Sequence, residues 1–378
     1  MIRMLRGLSI LQRDDDTVTI RFRIGRFLAG AVILIMGLIM GLIIESAAPA
    51  LAAEQIKLSV GGKMEQYFFI MDADQLPGEN LNSTGALSDV EVYFSGKAVL
   101  DNGVEISVKM ELEAEHKTGR DADEQWLEIK SAFGKLRIGE TEGFNHNYTY
   151  EGPYVAYEDD EIIGRVVPRR IAIGAKEVLT FERFTGTAFQ VGYETPTVAG
   201  FTIGANYFPT TTQGEDGFFD KATIDNNAWE VSGAWEGDMG GRTLGIAAGY
   251  FNSQSRVAGN DGEQAWNISA EVEAGGFTVG GAYIHSTPED NLDSTAFSLG
   301  ATYEIGPLGL GASYFRIRAN ATPNALVQDR LDQGKIEASY ILVRGIKLGV
   351  TGFWAGQEPA GGPDFNDIGL ISSAILRF

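Results

Sequence analysis

The chain has 378 residues, no cysteine, 48 glycines and a formal net charge of −21. The missing cysteine excludes a disulfide framework and thiolate metal sites. The acidic balance argues against nucleic acid or an anionic lipid surface as a general partner, and the length admits one large all-β unit or two ordinary domains.

Residues 1–26 carry six arginines (Arg3, Arg6, Arg13, Arg21, Arg23 and Arg26), and residues 27–44 run apolar without a charge. Ala50-Leu51-Ala52 then puts small residues at the −3 and −1 positions of a cleavage site. This is the pattern of a secretory signal peptide with a long basic leader over residues 1–52. Two alternatives stand beside it: an uncleaved helical anchor, since 18 apolar residues can span a bilayer, and a true start codon further downstream. Taking the segment's six arginines and four acids from the chain's 30 basic and 51 acidic residues leaves 24 against 47 in residues 53–378, a net of −23.

Alternation of period two begins at once. In "IKLSVGGKMEQYF", Ile56, Leu58, Val60, Gly62, Met64 and Phe68 share one face, and Lys57, Ser59, Gly61, Lys63, Glu65 and Tyr67 the other. "VEISVKMELEA" repeats the pattern, with Val104 to Ala114 opposed to Glu105, Ser107, Lys109, Glu111 and Glu113. The pattern recurs down to "IGLISSAILRF" at residues 368–378, and such alternation predicts strands with one polar and one apolar face.

Two kinds of connection separate these strands. The short ones are 101–103, 133–134, 197–200, 237–241, 274–276, 305–309 and 343–345, each with a glycine suited to a tight hairpin. The long polar ones are 71–88, 115–123, 141–180, 209–226, 252–263, 286–294, 319–332 and 355–365. They alternate strictly and so predict sixteen strands. An open sheet of that size leaves two unpaired edges, whereas a closed barrel has none and can sit in lipid. A soluble sandwich or solenoid would need a dry core or a fixed short repeat. Aromatic residues gather at strand ends, including Phe68, Tyr207, Trp229, Trp235, Tyr250, Tyr314 and Trp354, as in the two interfacial girdles of membrane barrels. The predicted fold is an all-β, 16-stranded antiparallel transmembrane β-barrel with short periplasmic turns and long outer loops.

The segments "AEQIKLSVGGKMEQYF", "WLEIKSAFGKLRIGETEG" and "VGYETPTVAGFTIGANYF", with the terminal "ILRF", resemble the trimeric Gram-negative general diffusion porins, most closely their alphaproteobacterial branch. That resemblance covers residues 53–378 and implies an outer-membrane, water-filled channel for passive diffusion of small hydrophilic solutes. It implies a homotrimer with subunit contacts on the lipid face of the first and last strands, where Gly62, Gly96 and Ala98 face outward. It implies that Phe378 is the signal read by the barrel-assembly machinery and that the last strand pairs with the first. It also implies that the third outer loop folds into the lumen, facing basic side chains on the wall.

That loop, 141–180, holds Glu142, Glu151, Glu158, Asp159, Asp160 and Glu161 against Arg165 and Arg169. The first six are the candidate constriction acids. The competing readings of the "EDDE" run are a solvated outer face, or clustered oxygens that bind calcium or bridge lipopolysaccharide. The inward parity offers Lys57, Lys63, Lys97, Lys109, Lys130, Lys135 and Arg137 as the basic wall. The family presents an arginine ladder, which only Arg137 matches here, so a strong basic wall is in doubt. With net −23 and an acidic loop, the expectation is weak cation preference that fades with salt.

No resident cofactor is expected beyond calcium on the acidic loops. A hydrolase would need Ser, His and an orienting group together, and the three histidines, His116, His146 and His285, are scattered. "GPLGLG" at 306–311 lies between strands rather than before a helix, so it reads as a turn. Two other functional readings stay open. One is an adhesin or structural barrel acting through its loops. The other is a solute-selective channel using Tyr148, Tyr150, Tyr154 and Tyr157 as an aromatic track.

Overall fold

The computed structural model describes residues 56–114, 122–157, 162–171, 186–214, 226–255, 262–287, 293–320 and 328–378. The expected signal segment, His116 and the run Glu158, Asp159, Asp160 and Glu161 lie outside these residues. Sixteen strands are present: β1 (Lys57–Ala73), β2 (Thr84–Val99), β3 (Glu105–Glu113), β4 (Ala122–Ser131), β5 (Gly134–Thr141), β6 (Ala188–Glu194), β7 (Phe201–Thr210) and β8 (Asn226–Asp238), followed by β9 (Thr243–Gln254), β10 (Gln264–Ala274), β11 (Phe277–Thr287), β12 (Ser294–Ile305), β13 (Leu308–Asn320), β14 (Gln328–Val343), β15 (Ile346–Glu358) and β16 (Phe365–Arg377). Among the described residues between β5 and β6 are the single-turn helices α1 (Phe144–Tyr148) and α2 (Ile162–Val166).

The strands pair in sequence order and close into a barrel through β1 and β16. The seam runs antiparallel from Lys63 opposite Arg377 to Ala73 opposite Asp367. It continues past β16, because Gly62 N donates to Phe378 O at 3.0 Å and Phe378 N to Gly62 O at 3.1 Å. Short and long connections alternate as the sequence pattern requires. Most expected loop limits are too generous: β1 runs on to Ala73 and β2 begins at Thr84, so the first loop spans ten residues rather than the predicted 71–88. After the third loop, the next described strand begins at Ala188.

Shifts of register at Met110/Leu112, Asn226/Trp229 and Ile341/Val343 mark irregular ladder steps. The first lies beyond Lys109, so the inward parity of the basic residues on β1–β5 survives it. Register confirms that parity, since Lys57 pairs with Lys97, Lys63 with Glu91, Glu105 with Lys130, and Lys130 with Lys135.

The outward face is apolar between two rows of rings. At the long-loop end, Trp229 packs on Tyr250 (5.4 Å between centroids), Trp266 on Tyr283 (5.3 Å) and Phe297 on Tyr314 (5.7 Å). At the short-turn end, Phe201 packs on Trp235 (6.2 Å) and Phe277 on Tyr303 (4.2 Å). Residues between the rows, such as Val231, Ile246, Ile268 and Leu299, stand exposed. Amphipathic rings at both borders of an apolar band mark the two membrane interfaces.

The outward glycine at position 62 is not open to a neighbouring subunit. A side chain there would meet the Phe378 ring at 2.7 Å and Glu91 O at 2.4 Å, so the terminal aromatic of the same chain already covers it. Gly96 and Ala98 keep their outward parity, but Gly96 is packed between Ile56, Leu58 and Val108 of its own wall.

Candidate pore constriction

Sixteen strands enclose a lumen too wide for wall side chains to fill. The segment between β5 and β6 enters it. Its entry is built by Phe144, which is fully buried. Gly192 and Gly204 make room for that ring: a Cβ on Gly204 would lie 2.6 Å from the Phe144 Cβ, and one on Gly192 2.9 Å from its ring. The first backbone donors of α1 have no partner within the helix. The wall supplies them: Phe144 N donates to Asn206 Oδ1 (3.0 Å) and Asn145 N to Glu230 Oε1 (3.0 Å).

From there the chain runs along the inner wall as a strap. Tyr150 N donates to Ser269 Oγ (3.0 Å) on β10, Gly152 N to Ser298 Oγ (3.0 Å) on β12 and Val155 N to Glu337 Oε2 (2.9 Å) on β14. Ser373 Oγ of β16 donates to Ala156 O. Tyr154 and Tyr157 stack at 5.0 Å, and the Lys335 ammonium lies 4.9 and 4.6 Å from their ring centroids. Lys335 also bonds the Tyr157 hydroxyl, and Lys347 Nζ reaches Tyr157 O at 3.4 Å. The strap thus crosses from β7 to β16 pinned to side chains of successive strands.

The return leg is apolar. Ile162, Ile163, Val166, Val167 and Ile171 form one buried cluster with Tyr67, Met71, Phe353 and Ile371 of β1, β15 and β16. Arg165 reaches Asp89 of β2 at 3.4 Å. Arg170 clamps Glu79 of the first loop through both terminal nitrogens (2.7 and 2.6 Å), and its backbone N donates to Gln357 Oε1 (2.9 Å). The guanidinium bonds, followed by the Leu76 N–H, hold the Glu79 carboxyl below its ordinary value.

Of the six candidate constriction acids, two fall on described residues. Glu142 sits at the root of the loop, where its carbonyl accepts from Gln190 Nε2 (2.6 Å) and its carboxylate from Thr187 Oγ1 (3.3 Å). Glu151 lies on the strap, its carbonyl against Gly280 of β11. The four tyrosines do not form a free track. Tyr157 is 2% exposed and held by Lys335, and Tyr148 donates to Glu194 Oε2 at 2.8 Å. Burial, then that bond, hold the Tyr148 phenol above its ordinary value. His146 lies on α1, and His285 faces outward beside Trp266, 6.1 Å between rings. Among the described residues no group of three or more His, Asp or Glu is arranged to hold a metal.

The seven predicted basic residues all lie on the inner face of β1–β5, but they do not form a free positive wall. Lys63 stands 3.0 Å from Glu91, 3.5 Å from Glu65 and 4.0 Å from Asp89. Lys97 pairs with Glu105 (2.6 Å), Lys109 with Glu111 and Glu124, and Lys135 with Glu194 (2.8 Å). Arg137 pairs with Glu128 (2.9 Å) and stacks over Trp126 and Phe144 at 5.1 and 5.2 Å. Lys57 and Lys130 lie opposite Lys97 and Lys135 in the register, towards the short-turn end.

The next arc is different. Strands β6–β12 contain no Lys or Arg. Their inward parity carries Glu194, Glu230, Glu236, Glu271, Glu273 and Glu304. Gly245 lies between Glu236 and Glu271 in the register, and a Cβ there would meet the Tyr150 ring at 2.4 Å. Burial, then Glu236, Glu271 and Glu273, raise the Tyr150 phenol above its ordinary value. These acids flank the strap on its short-turn side.

Sequence reasoning located the loop and the basic parity but missed the anchors Asn206, Glu230, Ser269, Ser298, Glu337 and Ser373. Their one local signal is a small or acidic polar residue at an inward position, shared by many wall residues that anchor nothing.

The model of the Gram-negative porin family matches residues 38–351. A search of curated protein sequences finds no match. Among solved structures, the chain is similar to the in-vitro folded trimer form of OmpT, an outer membrane protein of Vibrio cholerae (TM-score 0.60, 14% identity, 86% of this chain and 100% of that one). It is similar to the anion-selective porin from Comamonas acidovorans (TM-score 0.58, 12% identity, 86% and 100%). It is also similar to Salmonella typhi OmpF in complex with daunomycin (TM-score 0.56, 12% identity, 84% and 98%). At these identities the structures attest the fold alone, while the family match spans most of the sequence. The chain belongs to the Gram-negative porins, channel-forming β-barrels of the bacterial outer membrane.

Proposed function

We propose that this porin is a passive diffusion channel for small hydrophilic solutes that favours cations and works as a homotrimer. The observation that carries the cation preference is the inner arc β6–β12, which has acids and no basic side chain. Acidic rings favour cations in a pore. The similar Comamonas barrel is anion-selective, so the sign of selectivity belongs to wall and loop residues rather than to the fold. The trimer form of the similar Vibrio protein supports the oligomeric state.

Glu158, Asp159, Asp160 and Glu161 belong to this reading as further constriction acids. Support comes from their flanking residues, Tyr157 and Ile162, both buried on the inner side. Phe378 is proposed as the assembly address; the residue is 71% exposed, and its backbone closes the seam on Gly62.

The test is a planar-bilayer recording with the reversal potential read under a potassium chloride gradient. The expected result is steps in groups of three, with a cation-biased reversal that shrinks above about 1 M salt, where the Debye length falls to ~3 Å. A neutral or anion-biased reversal at low salt overturns the cation preference. Absence of conductance from folded protein overturns the channel.

A further inference from the structure

Directly under the strap, on its short-turn side, the inner wall is hollowed. One row of the ladder runs through Glu304, Gly309, Ser339 and Gly349 across β12–β15. Two of these four have no side chain, and the strap roofs both. A Cβ on Gly309 would meet the Val155 Cβ at 3.2 Å, and one on Gly349 would strike the Ala156 carbonyl. Below that roof lies a cavity of about 360 Å³, whose lining includes Tyr154, Val155, Glu304, Ser339 and Lys347.

The two ends of the cavity carry opposite charge. Glu304 is exposed, and its carboxylate has no hydrogen bond or ion pair among the described residues. Three strands away, Lys347 faces inward opposite Ile341 and Ile375, and Arg377 follows Ile375 on the same face of β16. Both cations line the cavity. Lys347 Nζ reaches Tyr157 O at 3.4 Å, and an ammonium has three donors. Between the ends the lining is apolar at Val155, Ile341 and Ile375. The Ser339 hydroxyl stands in the middle and makes no hydrogen bond among the described residues.

A solute with one charge is attracted at one end of this hollow and repelled at the other. A solute with both charges is attracted at each. The backbones of β12 and β15 lie three strand spacings apart, about 14 Å. An extended dipeptide spans about 7 Å, and the Glu304 and Lys347 side chains reach inward from the two ends to meet it. A single α-amino acid holds its ammonium and carboxylate on one carbon and is too short to touch both.

We propose that this hollow is a binding subsite for a short zwitterionic peptide. Its ammonium lies on Glu304, its carboxylate on Lys347 and Arg377, and its peptide group on Ser339 Oγ. An apolar side chain packs against Val155 and Ile341 under the strap. The proposal rests on the channel reading above and adds to it a saturable step that free diffusion lacks. It does not depend on the sign of the pore's ion preference.

The experiment is single-channel recording in fixed potassium chloride with three peptides: alanyl-leucine, its N-acetyl form, which is an anion, and its amide, which is a cation. The zwitterion is expected to lower the open current saturably, at a concentration about tenfold below that of either one-charge form. Glu304→Gln is expected to raise that concentration about tenfold, as for loss of one charge-assisted hydrogen bond. Glu304→Lys is expected to reverse the order, so that the N-acetyl peptide binds best. Glu304 is exposed, so both variants are expected to keep the barrel, and their current without peptide checks it. Absence of that current in the unaltered protein fails the channel reading. Current that falls linearly with peptide, without saturation, fails the subsite alone. Equal block by all three peptides, or an unchanged half-saturation in Glu304→Gln, overturns the proposal.

Discussion

Two arcs of the same inner wall solve the same problem in opposite ways. On β1–β5 each of Lys63, Lys97, Lys109, Lys135 and Arg137 is held by an acid of its own or the neighbouring strand. On β6–β12 acids such as Glu236, Glu271 and Glu273 face the lumen with no base on their own strands or on any strand between. The alternation is identical in both arcs. The difference teaches that a count of inward charges says little about a pore's field, because paired charges cancel at short range and unpaired ones do not.

The largest effect should come from freeing the strap that spans the second arc. Glu230→Ala removes the carboxylate that receives Asn145 N. Leaving that donor unpaired costs about 1–3 kcal/mol where water does not replace it. The expected outcome is a higher, noisier single-channel conductance with the barrel still folded by circular dichroism. An unchanged conductance would mean that the other anchors hold the strap alone.

Next is the charge of the second arc. Glu236→Gln, Glu271→Gln and Glu273→Gln together should move the reversal potential towards zero while conductance in concentrated salt stays the same. If the reversal does not move, the ion preference arises elsewhere, with Glu158 to Glu161 the first place to look.

The first arc gives the opposite test. Lys63→Met leaves Glu65, Asp89 and Glu91 without their shared cation. The arc then becomes acidic like its neighbour, and cation preference should rise slightly. Thermal stability should fall, by about 1–3 kcal/mol for an uncompensated polar group. A fall in cation preference would show that this arc does not face the conducting path.

The smallest effect concerns pH. Glu79 is ionised below the ordinary carboxylate range because Arg170 holds it. A depressed carboxyl contributes while it is charged and loses that contribution as the pH falls through its lowered value. The clamp between the first and third loops should therefore hold through neutral and mildly acidic pH and release only in stronger acid. Protease cleavage of the first loop across a pH series, compared with Glu79→Gln, reads this directly. Release beginning above the ordinary carboxylate range would exclude Glu79 as the group responsible.

Much of this was legible in the chain. Strand count, closure, the faces of Lys57 to Arg137 and both rows of rings depend on period two and on turn chemistry, which are local. The acid-only arc was legible too, since β6–β12 lack Lys and Arg in the sequence itself, but its significance required knowing that the opposite arc is self-paired. The tyrosines of the third loop misled: spacing suggested a track, whereas Tyr154 and Tyr157 stack on Lys335 from a strand 178 residues away.

The sequence by itself determined a closed sixteen-stranded barrel with a long third loop, because alternation and alternating loop lengths each follow from neighbouring residues. Only the tertiary structure decided where that loop lies and which charges cancel. Each of those depends on the height at which one strand meets another, as when Arg170 N finds Gln357 across 187 residues. Parity assigns a face to each side chain, but the stagger of a closed barrel sets its partners, and stagger is a property of the whole ring of strands.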